Sequence, residues 1–332
     1  MLIKKLQRFK DYWGVCIVIY GTHCDTWMSA LSPESTLWKN IPSVKKVIVQ
    51  SELISPPSSS TKFSRTIFVP LLEAHIAACP QEVAACIPSE QALKILSDKS
   101  EFAVYAQAQG LAHFCPEVFK EEDLVSFPCV IKRPDLNAGN GITIATTKAS
   151  LDEQLRQSPW QGQPFLLQAF ISGQEYVTHC VCRNGEIDWH CTYRFDLPDL
   201  TIRNSTNTVC SARVSAPEGA LDIIAKFIKT LAFNGPCNVD YKVDANNSIF
   251  VFEINPRLGG SLMVKENQRD LTQVMRCIIN TAKVRGRNSN FIIATLSFLI
   301  HKIQAILFGV VDLFFVMFAV IKSRFHFTES SR

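Results

Sequence analysis

Residues 249–260 read IFVFEINPRLGG, an apolar alternation that ends in a carboxylate, a carboxamide and a guanidinium within five residues. Side chains two apart along a strand share a face. Glu253 and Asn255 are therefore expected to point the same way as Val251, with Phe250, Phe252 and Ile254 on the other side. Pro256 has no N–H to donate and stops the ladder. Gly259 and Gly260 then let the backbone turn back closely over whatever the oxygen-bearing pair holds. The preceding stretch, CNVDYKV (237–243), reads as the partner strand, with Asn238, Asp240 and Lys242 on one face. A four-residue loop, Ala245–Ser248, would put Asp240 opposite Glu253, whereas a loop one residue longer or shorter would put them on opposite faces. Three oxygen donors turned to one point suit Mg2+, with Mn2+ as a substitute, because such a cation keeps waters and bridges to substrate phosphates. A solvated polar hairpin face is the competing reading.

Further upstream, Lys132 ends the strand VIK and is followed seven residues later by Gly139-Asn140-Gly141. A lysine at a strand end beside a glycine loop brings a positive charge and free backbone N–H groups to phosphate oxygens. Alone this signal is common, and it gains meaning beside a metal face. The N-terminal third, VCIVIY (15–20), VKKVIVQ (44–50) and RTIFVP (65–70), reads as three strands with helical and loop segments between them, a small parallel Rossmann-like unit. SPPSSSTK (55–62) is a polar loop. Ser89 is placed to cap a helix with Ala92, Leu93 and Leu96 on one face, and Gly110 closes a second helix. Asn184-Gly185 signals a hairpin, and a helix is expected over Ala220–Ala232. The first residues, basic and then apolar, lack a cleavage site after the short run Val15–Tyr20, so a first strand is expected there and not a signal peptide.

With these pieces in place the chain resembles the ATP-grasp superfamily of carboxylate–amine ligases and related enzymes, over about residues 85–282. The segment GPCNVDYKVDANNSIFVFEINPRLGGS (235–261) is similar to that family's metal-binding hairpin. The resemblance implies that Asp240, Glu253 and Asn255 hold Mg2+ and that Arg257 meets the γ-phosphate or an acyl phosphate. SDKSEFAVYAQAQGL (97–111) resembles the segment carrying the first nucleotide lysine, here Lys99. VIKRPDLNAGNGI (130–142) carries the second, Lys132, with a phosphate-covering loop that includes Gly139 and Gly141. LLQAFISGQEY (166–176) resembles the hinge between lobes. There the backbone of Ala169, Phe170 and Ile171 would read adenine and Glu175 the ribose hydroxyls, with Gln168 standing where an acidic residue is usual. The implied architecture is α/β with α+β lobes: a Rossmann-like pre-ATP-grasp domain over 1–85, an ATP-grasp domain over 86–285 and an apolar helical tail over 286–332.

By the same resemblance the chain is an enzyme that activates a small-molecule carboxylate with ATP and hands the acyl group to an amine. Two other classes compete: a kinase on the same fold, marked by ADP release without a carboxylate requirement, and a nucleotide-binding module without catalysis, against which the full set of site residues speaks. A net charge of +4 and the lack of a dense basic patch interleaved with aromatic residues exclude nucleic acid as the expected partner. The twelve cysteines show no C-x-x-C spacing and read as buried reduced thiols, with no His or Cys cluster expected beside Cys180 and Cys182. Arg194, His179 and His190 carry no assigned role.

The stretch Phe291–Ile321 is almost continuously apolar and long enough to span a bilayer, which takes roughly 20 apolar residues. Within Ile303–Ile321, thirteen Leu, Ile, Phe and Val residues at about −0.3 to −0.6 kcal/mol each outweigh the roughly +3 kcal/mol of Asp312. The rival reading is a core helix, supported by the interruptions His301, Lys302 and Gln304. Basic residues on both flanks leave a single crossing and a re-entrant or surface-lying helix pair both open. Use of ATP puts the catalytic body in the cytoplasm in either case. The full chain is expected to fractionate with membranes, while a chain ending at Arg287 is soluble, folded and able to bind ATP. A full chain soluble without detergent, whose truncated form unfolds, would make the tail part of the core.

Overall fold

The computed structural model of the chain describes residues 14–51, 63, 65–119, 125–136, 139–204 and 211–284. All of these except Val284 lie in one compact unit, Met1–Lys283. The tail segment 291–321 lies outside the described residues, and among the described residues no helix is long and apolar enough to cross a membrane.

Three parallel strands, β1 (Val15–Tyr20), β2 (Val44–Gln50) and β3 (Arg65–Pro70), form the N-terminal sheet together with the short β4 (Ala84–Ala85), in the order β4-β3-β1-β2. Every residue of β1 is buried. Ile17, Ile19, Ile67 and Val69 pack into one core, while Val18, Tyr20 and Phe68 pack into another on the opposite face. Burial on both faces explains why this strand is continuously apolar. The chain leaves β1 toward β2 on one side while β3 lies on the other, so the loops after β1 and β3 meet at a switch in strand order, where open α/β sheets place ligands. Helix α1 (Asp25–Leu31) follows β1, and the short α2 (Glu73–Ala77) follows β3.

Helices α3 (Glu90–Ser97) and α4 (Lys99–Ala108) come next. Ser89 Oγ accepts the Ala92 N–H, Ala92, Leu93 and Leu96 are buried, and the Asp98 carboxylate accepts the N–H groups of Ser100 and Glu101. Each helix thus begins on a side-chain acceptor that satisfies otherwise orphaned donors. A small antiparallel sheet follows, made of β5 (Val118–Phe119), β6 (Cys129–Lys132), β7 (Ile142–Ala145) and β8 (Leu166–Ala169) in the order β5-β8-β6-β7, with α5 (Lys148–Leu155) beside it. Cys129, Ile131 and Leu167 on one face form its core with Ala145 and Leu151. Alternation sends Val130, Lys132 and Gln168 to the other face.

The large antiparallel sheet contains β9 (Gln174–Arg183), β10 (Glu186–Phe195), β11 (Ser211–Val214), β12 (Gly235–Val243) and β13 (Ile249–Asn255), in the order β11-β10-β9-β12-β13. Asn184 and Gly185, both at positive φ, make the two-residue turn between β9 and β10, as the sequence predicts. One face buries Cys180, Cys182, Cys237, Val239, Tyr241, Val251 and Ile254 against α4 and α6 (Ala220–Thr230). The opposite face packs Val177, Cys191 and Tyr193 on α7 (Gln268–Thr281) and the N-terminal sheet, and toward β12 and β13 it carries the polar residues described below.

Two sequence expectations are corrected by the register of β12 and β13. The loop runs one residue longer than expected, with Val243 opposite Ile249, because the Asp244 carboxylate gathers the N–H groups of Asn246 and Ser248 at 2.9 and 2.7 Å. That change alone would have sent Asp240 and Glu253 to opposite faces. A β-bulge restores them: Tyr241 pairs with Val251 and Asp240 with Glu253, leaving Phe252 as the extra residue. Val251 therefore faces the core together with Ile254 and not the site with Glu253, while the Phe252 ring lies 5.2 Å beneath the Lys132 ammonium. The cysteine expectation is also amended. Cys182 Sγ lies 4.0 Å from Cys237 Sγ, so a thiol cluster exists beside Cys180 and Cys182. The eleven described cysteines are free thiols, most of them buried, and burial pushes the Cys86 thiol up to about 12.

Gly173, between β8 and β9, has φ +142°, and a Cβ there would overlap the Val243 carbonyl and sit 2.9 Å from Asp244 Cα. Gly162 also has positive φ but faces open space. Gly162→Ala should cost about 1 kcal/mol of backbone strain, and Gly173→Ala several times more because the hinge must part from β12. Urea unfolding of the two variants measures the difference, and equal midpoints would contradict it.

Candidate nucleotide and metal site

Lys132 ends β6 with its side chain almost wholly buried, 8% exposed. Burial lowers its pKa to about 8, with Glu253 opposing the shift and Lys99 adding to it. Gln168, across the small sheet from Val130 and on the same face as Lys132, is 7% exposed, and its Oε1 has no hydrogen-bond partner. A buried acceptor without a donor is costly unless something supplies one. Lys99, the first residue of α4, hydrogen-bonds the Leu136 carbonyl and lies 3.7 Å from Glu253 Oε2. Gly139 and Gly141 adopt positive φ in the loop between β6 and β7, and the Arg133 N–H donates to the Gly141 carbonyl at 2.8 Å. Arg133 also forks onto Asp135 at 2.9 and 2.7 Å, a local clamp on this loop.

At the hinge, the Lys242 ammonium donates to the Ile171 carbonyl at 3.2 Å and stands 5.0 Å over the Phe170 ring. A cavity of about 550 Å3 opens beside it, bounded by Phe170–Gln174, Val243–Asn246 and Phe250. Ala169 is the last residue of β8. Glu175, the second residue of β9, lies opposite Lys242, and Asp240 lies opposite Val177 on the same face.

The oxygen-bearing triad is brought together as the sequence predicts. Asn255 Nδ2 lies 3.2 Å from Asp240 Oδ2 and 3.0 Å from Glu253 Oε1, and it also donates to Asn238 Oδ1 at 3.3 Å. Among the described residues no three His, Cys, Asp or Glu side chains are gathered as metal ligands; the face offers two carboxylates and an amide. A half-turn of the Asn255 amide would exchange its nitrogen for Oδ1 and make the set all oxygen, the chemistry that Mg2+ requires. Burial lifts the Asp240 carboxyl to about 6, against the lowering influence of Arg203 and helped by repulsion from Glu253 and Glu175. Glu253 is held below its ordinary value: burial acts to raise it, but Lys99, the Asn255 amide, Lys132 and Arg257 outweigh that. The residues present thus fit both groups, an adenine nucleotide at Gln168, Lys132 and the hinge, and a divalent cation at the β12–β13 face.

Arg257 is more engaged than a free phosphate arginine. Its Nε donates to Glu73 Oε1 at 2.8 Å, Nη1 to the Leu258 carbonyl at 3.0 Å, and Nη2 reaches Asn255 Oδ1 at 3.5 Å. It therefore links the cation face to α2, at the ends of β1 and β3. His23, His75, Glu73 and Arg257 influence one another there, and burial first of all lowers the pKa of both histidines. Gly259 packs closely against the polar face, where a Cβ on it would come within 3.0 Å of Asn238 Cγ. The same Cβ would clash with the His179 ring, with Nδ1 at 2.8 Å, so a histidine also requires glycine here. His179, 1% exposed, binds Ser261 Oγ through Nε2 at 2.7 Å, and burial drops its pKa to about 3. His190 pairs with Cys180 and His179 with Cys191, which sets the two histidines on opposite faces of the sheet. Arg194 pairs with Asp196 at 3.0 Å on the face away from the site.

One site residue escaped the sequence reading. Arg203, in TIRN (201–204), is in no described helix or strand and belongs to no motif. Its Nε donates to Glu175 Oε1 at 2.6 Å, its Nη2 donates to Asp240 Oδ1, and its guanidinium lies 4.1 Å from the Phe195 ring.

The comparisons with known proteins agree with this geometry. An ATP-grasp domain model matches residues 97–261. The chain thus contains an ATP-grasp domain. It is 23% identical over 203 residues to the D-alanine–D-alanine ligase of Wigglesworthia glossinidia brevipalpis, covering 57% of this chain and 55% of that protein. It is 25% identical over 187 residues to the arginine-specific carbamoyl phosphate synthase large chain of Bacillus subtilis strain 168, covering 53% of this chain and 18% of that one. These matched stretches are well short of either relative's full length. Among solved structures, the D-alanine–D-alanine ligase of Bacillus anthracis complexed with ATP superposes with a TM-score of 0.56 at 14% identity, over 81% of this chain and 96% of that one. At that identity the likeness establishes the fold.

Proposed function

We propose that the chain is an ATP-dependent, Mg2+-requiring ligase that activates a substrate carboxylate as an acyl phosphate and transfers the acyl group to an amine. The observation that carries this reading is the meeting of the small-sheet nucleotide face, Lys132 and Gln168, with the β12–β13 oxygen face, joined by Lys99 at 3.7 Å from Glu253. The relatives' names, a ligase and a synthase, support the same class.

In this reading Gln168 Oε1 accepts from the adenine amino group, and the backbone of Ala169, Phe170 and Ile171 flanks the base. Glu175 takes the ribose hydroxyls. Lys99, Lys132 and the loop around Gly139 and Gly141 hold phosphate oxygens, the lysines by charge-assisted hydrogen bonds. Mg2+ on Asp240, Glu253 and a turned Asn255 supplies charge neutralisation to the phosphates. Arg257, fixed by Glu73, presents its Nη2 edge beside Asn255, where it would orient the substrate carboxylate and stabilise the developing acyl phosphate. A carboxylate oxygen bonds to the γ-phosphorus as ADP leaves. The amine nitrogen then bonds to the acyl carbon as phosphate leaves and the amine gives up a proton. No protein nucleophile is needed, since phosphoryl transfer rests on positioning and electrostatics. The division at about residues 85 and 285, the cytoplasmic placement and membrane attachment through 291–321 belong to the same proposal.

ADP release across a matrix of carboxylic acids and amines tests the reaction, and release that needs a carboxylate but no amine would leave a kinase. The lysine gives a sharper handle on the site. Its pKa is lowered, so the ammonium is present below about pH 8 and lost above it. ATP affinity measured by calorimetry should fall as pH rises from 8 to 9.5 in the parent chain and stay level in Lys132→Arg. Lys132→Ala should weaken ATP about ten- to hundredfold at pH 7, the value of a charge-assisted contact of roughly 1.5–3 kcal/mol. Affinity indifferent to pH and to the alanine substitution would remove Lys132 from the site.

A further inference from the structure

Arg203 stands where the two halves of the proposed site compete for charge. Its guanidinium bridges Glu175 on β9, the proposed ribose residue, and Asp240 on β12, the proposed cation ligand. The planar fork, with donors on two edges, suits two carboxylates at once in a way a lysine cannot. The Phe195 ring at 4.1 Å supports the guanidinium from beneath. The backbone is also tied to the phosphate side: a Cβ on Gly139 would lie 2.6 Å from the Arg203 carbonyl oxygen and 2.8 Å from Asn204 Cβ. Arg203 thus touches the glycine loop through its backbone and the cation face through its side chain.

A divalent cation on Asp240 with Arg203 still in place would sit within a few ångströms of a fixed positive charge, and Asp240 would have to serve both. The other cations about the face already have partners: Lys99 lies beside Glu253, Arg257 on Glu73, Lys242 on the Ile171 carbonyl and Lys132 over the Phe252 ring. A guanidinium released from Asp240 and Glu175 therefore needs a new anion, and the triphosphate beneath the glycine loop is the one the site would receive. We propose that Arg203 is a positioning residue that holds the β12–β13 face closed to a free divalent cation and yields it when a nucleoside triphosphate arrives to take the guanidinium, so that cation and nucleotide bind as a pair. The inference rests on the nucleotide and metal reading given above. It goes beyond that reading by assigning the order and the coupling of binding to one side chain.

The test uses the full chain and Mn2+ as the probe, read by electron paramagnetic resonance without nucleotide and then with a non-hydrolysable ATP analogue. The parent chain should bind Mn2+ weakly alone and markedly tighter with the analogue. Arg203→Ala and Arg203→Gln should each bind Mn2+ alone about tenfold tighter than the parent, a coupling of ordinary size. They should also lose most of the enhancement by the analogue. Arg203→Lys, which keeps the charge and one contact, should fall between, and circular dichroism of all three verifies that they fold. Adding Glu253→Gln to Arg203→Ala should abolish the gained Mn2+ affinity. Nucleotide-free Mn2+ affinity that is unchanged or weaker in both Arg203→Ala and Arg203→Gln overturns the proposal. A gain that survives Glu253→Gln would instead put the cation elsewhere and overturn the metal assignment on which the proposal rests.

Discussion

Three carboxylates, Glu175, Asp240 and Glu253, stand on one face of a sheet whose other face is dry core, and the rest of the site follows from the need to balance them. Charges removed from water must be paired or hydrogen-bonded. The carboxylates accordingly meet cations that arrive from different parts of the chain: Arg203, from the segment after β10, serves Glu175 and Asp240, while Lys99 from the start of α4 and Lys132 from the small sheet both act on Glu253. The large sheet and the small one are thereby linked by charge, through Lys132 and Glu253. A site of this kind holds its own counter-ions until a ligand of opposite pattern, anionic phosphate with a cation, exchanges partners with them.

The triad was legible because strand periodicity is rigid. Alternation alone places Glu253 with Asn255, and Asn238 with Asp240. What alternation could not supply was the register between the strands. The expected loop was too short by one residue, since Asp244 folds a longer turn with its own carboxylate, and the bulge at Phe252 compensates. The expected pairing of Asp240 with Glu253 is realised by two departures that cancel, and the cost of reading a uniform strand was the misplaced Val251. Lys132 was legible in the same way, as the end of a short apolar strand, whereas the hinge was read only through the family resemblance.

Arg203 was illegible because nothing local marks it. It lies in no strand or helix, and its partners are 28 and 37 positions away in sequence, so only the tertiary fold brings them together. The Glu73–Arg257 pair spans 184 positions and is invisible for the same reason. His179 shows the converse. It looked like a spare strand histidine, yet its ring demands glycine at Gly259 and its Nε2 holds Ser261.

In the function proposed for this chain, the Asp240–Glu253–Asn255 face receives a cation together with ATP. Calorimetric titration of ATP into the full chain, with and without Mg2+, in the parent and in Glu253→Gln, tests it most directly, because the substitution preserves shape and removes one charge. The account predicts that Mg2+ tightens ATP binding in the parent and does not in Glu253→Gln, whose metal-free affinity is equal to or higher than the parent's. The same Mg2+-dependent gain in both proteins would contradict it.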